Sequence, residues 1–190
     1  MTLKEKLPHN LILHQNNFLI RNATISELMY IWSKNNREKR EYVTCRPVIQ
    51  RDFEFAKKNF LKNMENPNIL FLIIALSDDP IGRISFSDYN PRNRSFELGY
   101  SLLPEFRKQG YMLHSLKILI SYVFRNTDIN KIYAQTGSFN EDSIKLLKRL
   151  GFVQDACLRE HHELNGMLYS DFIYSFLASD YYNNELYYIH

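Results

Sequence analysis

The chain reads as a mixed α/β (α+β) domain, with a central mixed, mostly antiparallel sheet of about seven strands and helices on both faces. Three observations predict this. From Ile69 to Leu102, three strand patterns follow one another through tight turns, which is the pattern of an antiparallel meander. From Phe96 to Asp128, alternation at Phe96, Leu98, Tyr100 and Leu102 gives way, after a basic turn ending in Gly110, to helical spacing. From Lys131 onward the patterns run strand, helix, strand, strand. A meander mixed with strand–helix–strand units needs a mixed sheet covered on both sides.

Phe18–Arg21 suggests the first strand. Thr24-Ile-Ser-Glu27 is a capping box, and Leu28, Ile31 and Trp32 then mark one face of a helix. Trp32 is expected in the core or a pocket wall. Asn35–Val48 is polar and aperiodic, a loop or broken helix. From Ile49 a helix carries the stripe Phe53, Ala56, Phe60 and Met64, and Asn66-Pro67 stops it. Ile69–Leu76 is apolar without alternation, as a strand buried on both faces would be. Ser77–Pro80 and Asn90–Asn93 are turns flanking the strand Ile81–Tyr89.

After the turn, Met112, Leu116, Leu119, Ile120, Val123 and Phe124 face one way along a helix. Lys131–Thr136 alternates as a strand. Asn140 is placed to cap the next helix, with Glu141 and Asp142 in its first turn. There Ile144, Leu147 and Leu150 face the core, and Gly151 ends it. Phe152–Glu163 and Met167–Leu177 are strands joined at Leu164-Asn165-Gly166. A single domain over residues 1–180 is expected, with a tyrosine-rich tail at 181–190 that docks on the domain or on a partner.

Composition narrows the function. Net charge is only +3, and the basic runs Lys34–Arg40 and Lys57–Lys62 are interleaved with acids, so they read as solvated helix faces rather than a nucleic-acid surface. Cys45 and Cys157 lie far apart with no ligand-spaced histidine, which argues against a disulfide scaffold and a zinc site and fits a reducing cytoplasm. The apolar run Ile69–Leu76 is short of the about 20 residues that span a bilayer, and the N-terminal apolar run is too short for a signal peptide. A cytoplasmic protein that binds neither membrane nor nucleic acid is expected.

A strand running into a glycine turn and a helix start directs unpaired N–H groups at one point, with the positive end of the helix dipole behind them. Arg107 to Met112 is therefore a cradle for the diphosphate of a nucleotide-like molecule. The stretches ELGYSLLPEFRKQGYM, NEDSIKLLKRLGF, LREHHELNG and YSDFIYS together resemble the GCN5-related N-acetyltransferases over nearly the whole chain, and most nearly their RimJ/RimL-like ribosomal-protein branch. The resemblance implies that Arg107, Lys108, Gln109, Gly110, Tyr111 and Met112 form the acetyl-CoA loop. Met112 stands where the family has a small residue, which raises the question of crowding near the phosphates.

The resemblance also implies that pantetheine lies between the diverging strands that begin at Phe96 and Lys131. There it would pair with main chain at Leu102 and Leu103 and have an oxyanion donor near Leu102. Asn140 would reach the pantetheine, and Ser143 would protonate the departing thiolate. For the base two residues stand open. His162 occupies the place where RimL-like members carry a glutamate, and its ordinary pKa near 6.5 suits the role; in a regular strand it would share a face with Glu160. Glu97 lies on the central strand. Tyr100 and Tyr169 are candidates to line the acceptor pocket.

The implied reaction is direct acetyl transfer from acetyl-CoA to a primary amine, with no metal. A protein N-terminus is the first acceptor, and a small toxic or antibiotic amine such as an aminoacyl-nucleotide the alternative. A non-catalytic acyl-CoA-binding module is the third reading. A monomer or homodimer is expected.

Overall fold

A computed structural model of the chain describes residues 1–7, 10–15, 18–34, 52–184 and 187. They form α1 (Leu3–Lys6), β1 (Ile12–Gln15), β2 (Phe18–Asn22), α2 (Ile25–Lys34), α3 (Phe53–Glu65), β3 (Leu70–Leu76), β4 (Asp79–Asn90) and β5 (Ser95–Leu102). A 3-10 turn at Pro104–Phe106 leads to α4 (Tyr111–Asn126), β6 (Lys131–Gly137), α5 (Glu141–Arg149), β7 (Val153–Leu164), β8 (Met167–Leu177) and α6 (Ala178–Asn183).

The strands make one sheet in the order β1-β2-β3-β4-β5-β6-β8-β7. Every neighbouring pair is antiparallel except β5 with β6. The eighth strand, beyond the expected seven, is β1. It is a four-residue edge strand paired with β2, too short to carry a pattern of its own.

Alternation sorts side chains to the two faces. Phe96, Leu98 and Leu102 of β5, with Ile132 and Ala134 of β6, pack against Met112, Leu116, Leu119, Ile120, Val123 and Phe124 of α4. The opposite face buries Ile73, Ala75 and Leu103 against Leu28 and Ile31 of α2, with Phe60 and Met64 of α3 alongside. β3 contributes to both cores, which is why its sequence is a continuous apolar run.

Local signals account for most element ends. Thr24 N–H donates to Glu27 Oε2 (2.8 Å) and Glu27 N–H to Thr24 Oγ1 (3.3 Å), the reciprocal capping box read from the sequence. α3 starts later than the periodicity suggested. Asp52 caps it by accepting from Phe55 N–H at 2.7 Å, and Phe53 is 49% exposed, so the buried stripe is limited to Ala56, Phe60 and Met64. Ile49, and the Asn35–Val48 segment with Cys45, lie outside the described residues. Asn165 and Gly166 both have positive φ (53° and 77°), as a two-residue turn between twisted strands requires.

α5 ends as predicted. Gly151 has φ +89°, Phe152 N–H donates to Leu147 O and Gly151 N–H to Lys148 O, both at 3.0 Å. This pair of bonds satisfies the last carbonyls of the helix. The described part of the tail packs on this end of the domain. Tyr181 and Tyr187 are buried, Tyr187 Oη–H donates to Leu150 O (2.9 Å), and Arg125 Nε–H donates to Tyr181 Oη (2.7 Å).

Gly151→Ala should destabilise the fold by about 1–2 kcal/mol, the cost of a side chain in left-handed backbone. The added Cβ would also lie 2.8 Å from Asn184 Nδ2 and 3.2 Å from the Phe176 ring. A urea midpoint equal to that of the wild type would refute this.

Candidate active site

β5 and β6 pair over only three residues each: Ser95, Phe96 and Glu97 with Lys131, Ile132 and Tyr133. Beyond Glu97 and Tyr133 the two strands part. β5 stays paired to β4 without a break from Glu97 to Leu102, and Leu103 N–H donates to Ile81 O at 2.9 Å. In an antiparallel pair alternate residues bond to the neighbour, so Gly99, Ser101 and Leu103 turn their amides to β4. The main-chain groups of Leu98, Tyr100 and Leu102 therefore face the gap. Backbone groups left this way in an interior require a partner.

Leu102 turns its amide to the gap side. Leu103 does not. Its N–H is committed to Ile81, its carbonyl accepts from Phe106 N–H (3.0 Å), and its side chain is buried in the α2-side core.

The wide end of the gap opens at the cradle. Arg107 Nε–H donates to Leu102 O (3.2 Å), which holds the guanidinium at the mouth. Lys108 and Gly110 both have positive φ (60° and 85°), curling the turn so that it enters α4 with Gly110 as the N-cap and no side-chain cap on the first N–H groups. Such a curl followed by an uncapped helix start gathers N–H donors around an anion. Gln109 Nε2–H ties back to Glu105 O at 2.7 Å. Tyr111 packs edge-on against Phe18 and Phe106. Met112 is buried in the main core, so the bulk that raised a question of crowding points away from the cradle.

Asn140 and Ser143 stand at the start of α5, just past β6. Asn140 Oδ1 accepts from Ser143 N–H (3.2 Å), as an N-cap should. That leaves the serine hydroxyl available, and it lies 2.7 Å from the Tyr100 hydroxyl. The bond joins β5 to α5 across the gap. Tyr100 lies on the α4 side of the sheet, with Phe96, Leu98 and Leu102. Burial pushes its phenol well above the ordinary tyrosine range, with the Ser143 bond opposing weakly, so the phenol stays protonated. The pairing was missed in the sequence because it joins residues 43 positions apart.

The opposite face carries Glu97, paired in register with Ser87 and Tyr133, followed along β6 by Gln135. Gln135 Nε2–H donates to Asp171 Oδ2 at 2.8 Å. Neither Gln135 nor Asp171 stood out in the sequence. The available signal was an acid inside the otherwise uncharged strand around YSDFIYSF.

His162 lies elsewhere. β7 breaks register between Leu158 and His162, and Glu160 has φ +50°, so the expected shared face of Glu160 and His162 does not exist. The His162 ring packs on Phe139 (5.1 Å between centroids), which also meets Tyr169 (5.3 Å). Three strand spacings and six residue positions separate His162 from the level of Glu97, about 14 Å across and about 20 Å along a flat sheet. The two candidate bases are not brought together.

Among the described residues no group of three or more His, Cys, Asp or Glu could hold a metal ion, and no helix is long and apolar enough to cross a membrane.

The acetyltransferase (GNAT) domain family matches residues 17–153, which span the gap, the cradle and α5. The chain belongs to the GNAT acetyltransferase family. Among curated relatives it is 30% identical over 114 residues to the uncharacterized N-acetyltransferase p20 of Bacillus licheniformis (60% of this chain, 64% of that protein). It is 29% identical over 96 residues to the ribosomal-protein-serine acetyltransferase of Escherichia coli strain K12 (50% and 53%). The chain thus spans about half to two thirds of the length of these relatives.

Among solved structures, RimL, a ribosomal L7/L12 alpha-N-protein acetyltransferase in complex with coenzyme A, superposes with TM-score 0.79 at 21% identity, covering 88% of this chain and 98% of that one. Spermidine N-acetyltransferase from Vibrio cholerae, in complex with CoA and spermine, gives 0.80 at 20% identity, covering 89% and 100%. These likenesses establish the fold that this GNAT chain shares with both.

Gly110→Asp should abolish binding of CoA, through a carboxylate set against the phosphates and strain at φ +85°. Titration calorimetry with CoA checks it; undiminished affinity would remove the cradle.

Proposed function

We propose that this GNAT protein is an acetyl-CoA-dependent N-acetyltransferase that passes the acetyl group directly to a primary amine. The observation that carries the reading is the gap itself. Three main-chain positions, Leu98, Tyr100 and Leu102, face an opening with an anion cradle at its mouth and a Tyr100–Ser143 hydroxyl pair across it. A thioester-bearing arm attached to a diphosphate is the ligand chemistry that suits such a slot. Relatives and fold neighbours named for acetyl transfer support it.

The roles follow from position. Arg107, Lys108 and the amides of residues 108–113 hold the phosphates, with Gln109 bracing the turn. An amide at Tyr100 or Leu102 donates to the oxygen of the thioester carbonyl as charge develops there, worth about 3 kcal/mol for one such donor. Ser143 donates to the departing sulfur. Tyr100 is the hydroxyl beside it and, staying protonated, serves as a donor and not as a base. Asn140 fixes the helix start that carries Ser143. Glu97 receives the amine proton, directly or through water, since it stands where the strands part and His162 does not.

The acceptor we favour is a protein N-terminal amine, by likeness to the ribosomal-protein-serine acetyltransferase. A small polyamine is the second reading, favoured by the spermine-bound fold neighbour.

Incubation with acetyl-CoA and an amine panel, followed by free-thiol detection, tests the reaction. Thiol release that depends on the amine is expected; acetyl-CoA binding without release would leave a binding module. Ser143→Ala and Tyr100→Phe should each lower kcat roughly 10- to 100-fold with little change in CoA affinity. Glu97→Gln should lower kcat/KM chiefly below the amine pKa, while His162→Ala should leave the pH profile unchanged. A profile altered only by His162→Ala would reverse the assignment of the base.

A further inference from the structure

Asp171 is the one charged side chain among the described residues that is fully buried. It lies on β8 opposite Gly137 of β6 and Leu158 of β7. Its Oδ2 accepts from Gln135 Nε2–H, and its Oδ1 has no hydrogen-bond partner. A carboxylate oxygen can only accept, so Gln135 must present its NH2 to Asp171. The reverse orientation would set two oxygens against each other. Gln135 Oε1 is therefore locked facing away from β8.

Gln135 follows Tyr133 on the same face of β6, and Tyr133 is the last residue of β6 that pairs with β5. Its side chain thus borders the opening on the Glu97 side, where an acceptor must approach. Phe139 covers the neighbouring Gly137, where an added Cβ would lie 2.3 Å from its ring, and Gly137 is the residue paired in register with Asp171.

We infer that Gln135, held in one orientation by Asp171, receives an N–H of the acceptor amine. Gln135 is an acceptor-binding residue and Asp171 a positioning residue. A primary amine attacking the acetyl carbonyl forms the C–N bond as the C–S bond breaks. One of its protons leaves to the base, and the thiolate gains one from the Ser143 side or from solvent. The N–H that remains on the product amide nitrogen is the one Gln135 Oε1 holds throughout. A hydroxyl acceptor has no such second hydrogen. The pair therefore selects primary amines over alcohols and aligns the lone pair with the carbonyl. This rests on the acetyl-transfer reading above.

The test compares wild type with Gln135→Met, Asp171→Asn and the double variant, using spermine and a peptide with an N-terminal serine as acceptors. Acetyl-CoA affinity is measured separately by calorimetry. Gln135→Met should lower kcat/KM for the amine about 10-fold with acetyl-CoA affinity unchanged. Asp171→Asn, which frees the amide to flip, should lower it in the same direction. The double variant should be no worse than Gln135→Met, since both act through one contact.

Losses that multiply in the double variant, or kcat/KM for the amine within twofold of wild type in Gln135→Met, would overturn the inference. If Asp171→Asn does not fold, Gln135→Met alone decides. Wild-type protein that binds acetyl-CoA yet releases no thiol with either amine would overturn the acetyl-transfer reading, and this inference with it. That result is distinct from turnover that the variants leave intact.

Discussion

The parallel pairing of β5 with β6 stops after three residues, and the rest of the site depends on that early stop. Two parallel strands joined through a helix gain nothing by diverging unless something else takes up their free main-chain groups. β5 cannot follow β6, because its other edge is tied to β4 as far as Leu103 and Ile81. β6 cannot follow β5, because it is paired along its whole length to β8. Each strand is held by its outer neighbour, and the gap between them stays open for that reason. A slot of this kind binds an extended chain by main-chain pairing, as an added strand would be bound.

The same few residues that fix the fold carry the proposed chemistry. Asn140 caps α5 through Ser143 N–H, and that bond sets the direction of the Ser143 hydroxyl toward Tyr100. Gly110 supplies the left-handed turn that starts α4, and the first amides of the helix are left without a side-chain cap, as the proposed phosphate site needs. Capping and ligand binding are alternative ways to satisfy identical donors. A side chain that capped α4 well would compete with the anion for its site.

Much of this was legible in the sequence. The apolar faces of β5 and α4, the capping residues Thr24 and Asn140, and the Gly151 stop are local signals, and each sits where its neighbours in the chain predict. The turn into α4 was legible too, since the positive φ at Gly110 and the uncapped helix start belong to consecutive residues. The assignments that moved depend on contacts distant in the chain. Alternation set Tyr100 on the face of Phe96, Leu98 and Leu102, but it does not show that the hydroxyl meets Ser143 on a helix 43 positions away. The shared face of Glu160 and His162 failed at a register break, where the assumption of period 2 no longer holds. Gln135 and Asp171 escaped notice because their meaning lies in a bond between β6 and β8.

Asp171 also separates stability from activity. Taking a carboxylate out of water costs several kcal/mol unless strong partners replace the lost hydration. Here one amide N–H serves one oxygen, and the other oxygen has none. The unpartnered hydroxyls of Ser115 and Thr136, on the α4 side of the sheet, are cheaper, since no charge is involved. Folding alone would favour an apolar side chain or an amide at this position. Orientation is what a neutral replacement cannot supply, because an amide presents both a donor and an acceptor and lets Gln135 choose either way round. The buried charge therefore makes sense as the fixed reference for a neighbour that faces the opening.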